Sequence, residues 1–126
     1  MSFLNPKKII SGTIIGVSHK VADFGFGSGV FVKILSEKVG QDGHVYAFDI
    51  RQEIVGSVSN ECRELKIDNV SFLTTDLEKD KSTKLEDSIL DFVLISSLFF
   101  QLENKEKVAK EAKRILKKNG KILFIE

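Results

Sequence analysis

The glycine-rich segment that follows the first apolar stretch constrains the fold more than any other part of the sequence. The segment VADFGFGSGV, residues 21–30, rises through apolar residues to Asp23 and then has glycine at positions 25, 27 and 29. Glycine weakens the interior of helices and strands, so this spacing predicts a turn between two elements. A simple tight turn needs one or two glycines. Three at alternate positions favour a loop whose backbone N–H groups approach a ligand closely.

The spacing of these glycines differs from that of dinucleotide-binding loops. The G-x-G-x-x-G pattern read from Gly25 requires glycine at position 30, and read from Gly27 it requires glycine at position 32. Valine stands at both positions. A nucleotide- or NAD-binding domain is therefore a disfavoured alternative.

Strand and helix patterns alternate along the whole chain. Asn5 and Pro6 predict a short helix in an N-terminal segment of residues 1–19, which breaks near Gly12. Gly120 is predicted to cap the last helix in the left-handed conformation. Predicted strands are KVADF, HVYAFD, NVSFLTTD, SILDFVLISS and KILFIE, and the longer predicted helices are SGVFVKILSEKV, QEIVGSVSNECRELKI and ENKEKVAKEAKRILKK. Helices between strands predict one α/β domain, residues 1–126, with a doubly wound parallel sheet of about five strands.

Composition narrows the classes of function. The formal net charge is +1, so there is no global electrostatic case for nucleic acid or an anionic membrane as partner. No apolar run approaches the ~20 residues of a membrane span. The single cysteine, Cys62, excludes an intrachain disulfide and a cysteine-based zinc site, which favours a cytoplasmic setting. His19 and His44 lack ligand partners at suitable spacing, so no metal site is predicted.

Two aspartates follow strands at the edge where ligands of doubly wound sheets bind. Asp49 ends the second strand, 20 residues after Gly29, where a carboxylate can accept hydrogen bonds from ribose hydroxyls. The competing interpretation is a cap for the helix that starts near Arg51. Asp76 follows the third strand and could accept from an adenine amino group, or could instead stabilise a turn.

Five segments together resemble the motifs of class I S-adenosylmethionine-dependent methyltransferases. They are VADFGFGSG, VYAFDI, VSFLTTDLE, LDFVLISSLFFQL and AKRILKKNGKILFIE, in the family's order and spacing. The similarity is closest to the small-molecule branch that includes ubiquinone/menaquinone biosynthesis methyltransferases. The resemblance implies a Rossmann-like sheet, S-adenosylmethionine as cofactor and methyl transfer to a small-molecule acceptor.

The resemblance also implies which residues contact the cofactor. Asp23 and the glycine loop would face its methionine part, Asp49 its ribose, and Ile50 its adenine. Asp76 would accept from the adenine amino group, and Ser96 would lie near the sulfonium and the acceptor. The full implied set is Asp23, Phe24, Gly25, Phe26, Gly27, Gly29, Asp49, Ile50, Asp76, Leu77 and Ser96, where Leu77 contributes its backbone N–H. No catalytic residue is implied.

Two departures from the family pattern lie near this predicted site. Phe26 stands where the loop often has a small residue; it could narrow the methionine site or pack on a neighbouring helix. Phe99 and Phe100 follow the fourth strand in place of polar residues. They could contact the sulfonium or belong to the core. The motif N/D-P-P-Y, typical of amino-methylating members, is absent.

A third departure is that the sequence lacks the family's usual C-terminal antiparallel strand pair. We therefore expect the fifth strand to have an exposed outer edge, which favours a homodimer or other homo-oligomer. Two alternatives to an active enzyme stay open. The domain could bind S-adenosylmethionine as an inactive or scaffold module, or it could be a fragment or minimal form of a larger methyltransferase.

Overall fold

The computed structural model describes residues 5–96 and 102–125. They form four helices and five strands. In chain order they are α1 (Pro6–Ser11), β1 (Lys20–Phe24), α2 (Val30–Val39), β2 (His44–Asp49), α3 (Gln52–Glu64), β3 (Val70–Thr74), β4 (Leu90–Ser96), α4 (Lys105–Ile115) and β5 (Leu116–Ile125).

The five strands form one parallel sheet in the order β3-β2-β1-β4-β5. The chain builds outward from β1 to β3 and then crosses over to β4 on the other side of β1. The strand order therefore reverses between β1 and β4, where doubly wound sheets bind their ligands. The predicted fold class, a Rossmann-like doubly wound parallel sheet, is confirmed.

Helices cover both faces of the sheet. Ile10 of α1 and Leu35 and Val39 of α2 pack on one face, and α3 buries Val58 and Cys62 on the same face. On the other face, α4 packs Val108, Ala112 and Ile115 against the sheet in the largest core cluster. Because side chains alternate along a strand, β1 directs Val21 and Asp23 toward α2, and Ala22 and Phe24 toward α4.

All five predicted strands and all three longer predicted helices are present, and the bounds of β1 and β2 are as predicted. Asn5 caps α1 by accepting from Lys8 N at 3.3 Å, and α1 ends at Ser11 with Gly12 as its C-cap. β1 ends at Phe24, as predicted. The helix predicted over QEIVGSVSNECRELKI ends earlier than expected, at Glu64, so that Leu65 follows it and is 58% exposed.

The prediction that Gly120 caps the last helix is wrong. α4 ends at Ile115, and Leu116 already has extended backbone. β5 therefore begins at Leu116, which pairs with Leu90 of β4 ahead of a register shift. A Cβ at Gly120 would lie 2.7 Å from Leu116 Cδ2, so close packing within this irregular part of β5 accounts for the glycine.

A buried ion pair fastens the loop between β3 and β4 to α4. Glu111, 4% exposed, accepts from Thr83 N at 3.0 Å and from Thr83 Oγ1 at 2.7 Å. Arg114 donates to both carboxylate oxygens of Glu111, at 2.7 and 2.8 Å, and to Asp87 and the Leu85 carbonyl. Burial opposes ionisation of Glu111, but the bonds from Arg114 and Thr83 outweigh it and lower its pKa.

Candidate functional site

The carboxyl ends of β1, β2, β3 and β4 meet at one edge of the sheet. Phe24 lies level with Phe48 on one side and with Ile95 on the other, and Asp49 lies level with Thr74. The residues that follow are the glycine loop, Ile50, Asp76 and Ser96. Topology therefore brings four separate predicted segments to one cleft at the point where the strand order reverses.

The glycine loop passes from β1 into α2 through left-handed backbone. Gly25, Gly27 and Gly29 have φ of 75°, 53° and 84°. At Gly29 a Cβ would also lie only 2.6 Å from a methyl group of Val58, so α3 packs directly against the loop. Gly29 is the N-cap of α2 and has no side chain to bond the first N–H groups of that helix. Among the residues that the structure describes, the first N–H groups of this helix therefore have no capping partner, and the helix end carries a positive dipole.

Asp23 is the least expected feature of the site. Its side chain is fully buried, and both carboxylate oxygens lack a hydrogen-bond partner in residues 5–96 and 102–125. Burial, reinforced by the charge of Asp49, raises the pKa of Asp23 from 3.8 to about 7. A buried carboxylate without a partner is costly, so this group is suited to a cationic ligand.

Asp49 is 3% exposed and bonded on both oxygens. Oδ1 accepts from Arg51 N and Arg51 Nε at 3.0 Å, and Oδ2 accepts from Gly27 N at 3.2 Å and Arg51 Nη2 at 3.1 Å. Burial raises the pKa of Asp49, but these hydrogen bonds and the Arg51 charge outweigh burial and lower it. Asp49 thus links β2, the glycine loop and the start of α3.

The interpretation of Asp49 as the cap of the following helix is wrong, because Asp49 is not the N-cap of α3. α3 begins at Gln52, with Arg51 as its N-cap, and Asp49 accepts from Arg51 N just before the helix. The role of Arg51 itself was missed by the sequence prediction. An arginine two residues after the strand gives no signal by itself, because the bidentate pair depends on the side-chain conformation.

Asp76, Leu77 and Ile50 lie at the ends of β2 and β3. Asp76 Oδ1 accepts from Glu78 N at 3.0 Å, so the turn predicted as the alternative role is present. The Leu77 side chain is buried in the core, while its N–H has no acceptor among the described residues. Ile50 is 59% exposed, an apolar surface at the position where the resemblance implies adenine.

Phe24 and Phe26 direct their side chains into the protein core. Phe24 is fully buried, with its ring edge-on to Phe48 at 5.6 Å between centroids. Phe26 is 5% exposed and packs against Phe72 at 5.5 Å, in the cluster under α3. Of the two interpretations of Phe26, packing on a neighbouring helix is the one that the structure bears out. Only the backbone of these two residues remains for the predicted cofactor contacts.

Ser96 is the last residue of β4 and lies near the site. It follows Ile95, the partner of Phe24, and so lies beside the start of the glycine loop. Phe99 and Phe100 lie outside the described residues.

No group of three or more potential metal ligands occurs within 5–96 and 102–125. None of the helices in those ranges has the length and apolar character that crossing a bilayer requires.

Comparison with known protein families identifies the family to which the chain belongs. A family model described as "Methyltransferase domain" matches residues 15–126, which include every element from β1 to β5. The chain belongs to this family. The predicted class I methyltransferase resemblance is therefore confirmed.

Individual relatives are similar to this methyltransferase domain over most of its length. The ubiquinone/menaquinone biosynthesis C-methyltransferase UbiE of Pasteurella multocida is 29% identical over 109 residues, which are 86% of this chain and 40% of the relative. The arsenite methyltransferase of Mus musculus is 28% identical over 111 residues, 83% of this chain and 30% of the relative. A solved structure of a SAM-dependent methyltransferase from Aquifex aeolicus has 28% identity and a TM-score of 0.87, and the match covers 95% of this chain and 62% of that one.

These matches support S-adenosylmethionine as the cofactor. The polar groups in the cleft fit that cofactor. An unpartnered buried carboxylate at Asp23 suits the amino group of the methionine part. The uncapped start of α2 suits its carboxylate. Asp49 suits a vicinal diol. The chain spans less than half the length of the two curated relatives, 40% and 30%.

Proposed function

We propose that this domain binds S-adenosylmethionine at the carboxyl ends of β1–β4 and that its methyl group is transferred to a small-molecule acceptor. The observation that carries the proposal is the Asp23 carboxylate, buried, unpartnered among the described residues, and adjacent to the glycine loop. A group of this kind raises the free energy of the unliganded protein, and a ligand ammonium relieves that cost.

In this proposal each part of the cleft holds one part of the cofactor. Asp23 accepts from the methionine amino group, and the start of α2 binds the methionine carboxylate. Asp49 accepts from the ribose hydroxyls. Ile50 packs on the adenine, with Leu77 N–H and the Asp76 carboxylate at the adenine edge. Ser96 lies on the β4 side, nearest the acceptor.

The chain contributes mainly position to the reaction. S-adenosylmethionine supplies an electrophilic methyl group, because that group is bonded to a sulfonium. Backbone at Gly25–Gly29 and the carboxylates at Asp23 and Asp49 hold the reacting end in a fixed place, and fixed geometry alone accelerates such a displacement strongly. No general base is assigned, and an acceptor that is already nucleophilic needs none.

Isothermal titration calorimetry with S-adenosylmethionine, S-adenosylhomocysteine and NAD tests the proposal. We expect both sulfur ligands to bind and NAD not to bind. Asp42→Ala, an exposed carboxylate outside the cleft, should leave the affinity unchanged and so serves as a charge control for substitutions at Asp49. A folded protein that binds neither sulfur ligand refutes the proposal. Binding without turnover on a broad acceptor panel would favour a non-catalytic cofactor-binding module.

We also propose that a second copy of the chain pairs with the outer edge of β5. In the part of the chain that the structure describes, β4 is the only strand beside β5, and a strand edge of this kind favours association. Sedimentation equilibrium should then show a dimer. A monomer across the accessible concentration range contradicts this.

We propose a cytoplasmic setting without a nucleic-acid partner. The single, buried Cys62 and a net charge of +1 support it. Fractionation of cells that express the protein, together with a nucleic-acid binding assay, tests both points. Recovery outside the cytoplasm, or salt-sensitive binding to DNA or RNA, would contradict them.

A further inference from the structure

Arg51 lies over the carboxylate that the proposed function assigns to the cofactor ribose. Its guanidinium is bidentate on Asp49, with Nε 3.0 Å from Oδ1 and Nη2 3.1 Å from Oδ2. Nη2 would also lie 3.8 Å from a Cβ at Gly27, so the guanidinium is in the space next to the glycine loop. The Arg51 side chain is nevertheless 52% exposed, which leaves it able to swing toward solvent.

The hydrogen bonds of Asp49 show which ligand group the Arg51 side chain keeps away from this carboxylate. A carboxylate has about four lone-pair positions, and all of those on Asp49 are taken. Two are taken by backbone N–H groups, of Gly27 and Arg51, which cannot leave without rebuilding the loop and the start of α3. The other two, one on each oxygen, are taken by the Arg51 side chain. A vicinal diol donates two hydrogen bonds and needs the same two positions.

We infer that the Arg51 guanidinium competes with the cofactor ribose diol for Asp49, so that Arg51 sets the affinity of the site and must move away when the cofactor binds. The inference rests on the proposed function. Arg51 acts as a substitute partner that keeps Asp49 neutralised in the unliganded protein, beside the buried carboxylate of Asp23. It therefore stabilises the unliganded domain and weakens cofactor binding at the same time.

The opposed signs of these two effects separate this role from a purely structural one. A structural arginine, when removed, lowers both the stability of the protein and its affinity for ligand. A competing arginine, when removed, lowers stability but raises affinity. Because S-adenosylmethionine carries one more positive charge than S-adenosylhomocysteine, loss of the Arg51 charge should also favour the former over the latter.

The test uses Arg51→Met, which keeps the unbranched stem, and Arg51→Lys, which keeps the charge but loses the bidentate geometry. Arg63→Met is the matched control, since Arg63 is an exposed arginine in the last turn of α3, the helix that Arg51 precedes. Calorimetry with S-adenosylhomocysteine should show about three- to tenfold tighter binding for Arg51→Met. A smaller gain is expected for Arg51→Lys and none for Arg63→Met.

Two nucleosides test whether the diol is the competing group. Adenosine should gain affinity from Arg51→Met, whereas 2′,3′-dideoxyadenosine, which lacks the diol, should not. If the wild-type protein binds S-adenosylhomocysteine and Arg51→Met binds it equally or more weakly, the competition is refuted while the proposed function stands. If neither protein binds it, the proposed function and the inference both fail.

A measurement on the wild-type protein makes the test independent of any variant's folding. The ¹⁵N resonance of Arg51 Nε, assigned by its loss in Arg51→Lys, should report a bonded N–H in the unliganded protein. Saturation with S-adenosylhomocysteine should move this resonance to the position of a solvent-exposed arginine. An Arg51 Nε resonance that stays in place at saturation contradicts the inference.

Discussion

Replacing the buried carboxylate at Asp23 with an amide should make the domain more stable at alkaline pH. In the wild-type protein the pKa of Asp23 is raised from 3.8 to about 7, by burial and then by Asp49. Between these two values the folded protein retains a proton that the unfolded chain releases. The free energy of unfolding therefore falls as the pH rises through this window, and the full loss is present above pH 7.

The size of the effect follows from the shift itself. Each pKa unit corresponds to about 1.36 kcal/mol, so a shift from 3.8 to about 7 costs at most roughly 4 kcal/mol at pH 8. Asparagine has nearly the same shape and never ionises. Asp23→Asn should therefore be as stable as wild type at about pH 3, below both pKa values, and more stable by up to about 4 kcal/mol at pH 8.

Urea denaturation followed by far-ultraviolet circular dichroism at several pH values measures this difference. His44 has the opposite dependence: burial and then Lys20 lower its pKa, so its contribution to stability grows as the pH rises through its usual range. The wild-type protein and Asp23→Asn both contain His44. Subtracting the unfolding free energy of one from that of the other therefore removes the contribution of His44. If the plots of unfolding free energy against pH for the wild type and Asp23→Asn run parallel from pH 4.5 to pH 8, Asp23 is not a buried, ionising group and the reasoning is wrong.

Substitutions at three further places, Asp49, the glycine loop and the Glu111–Arg114 ion pair, have expected outcomes. Asp49→Ala should weaken S-adenosylhomocysteine binding by on the order of 1–3 kcal/mol in calorimetry; unchanged affinity would remove Asp49 from the site. Gly29→Ala, which meets both a positive φ of 84° and a methyl group at 2.6 Å, should cost roughly 2–4 kcal/mol in urea denaturation. Gly56→Ala, which has open space, should instead stabilise by about 0.5–1 kcal/mol, and equal effects would contradict the packing. Arg114→Met should destabilise by about 3 kcal/mol because it leaves Glu111 buried without its cation. Adding Glu111→Gln should recover part of that loss, and no recovery would refute the ion-pair explanation.

Local sequence patterns predicted the first half of the fold well, and the failure at its end has a physical cause. β1 ends at Phe24 and α2 begins after Gly29 because glycines in left-handed backbone interrupt both elements. Residues 116–120 read equally well as the last turn of a helix. They became strand because Leu116 pairs with Leu90 of β4, a contact between distant parts of the chain that no local pattern contains.

The features of the site likewise divide into those that the sequence predicted and those that it did not. The topology of a doubly wound sheet was enough to predict that the glycine loop and Asp49 meet. It gave no indication that Asp23 is left without a partner or that Arg51 covers Asp49, since both depend on side-chain conformations. The orientation of Phe26 toward Phe72 likewise follows from the packing of α3 on the sheet.

Titration of the ¹⁵N-labelled protein with S-adenosylhomocysteine, followed by amide chemical shifts, tests the central claim most directly. We expect the largest shifts on the glycine loop, Ile50 and Leu77, at the carboxyl edge of the sheet. A separate cavity of about 460 Å³ is lined by residues of α1, α2 and the segment before β1, including Ile10, Val17 and Ile34. Shifts confined to that cavity, or no shifts at all, would contradict the account.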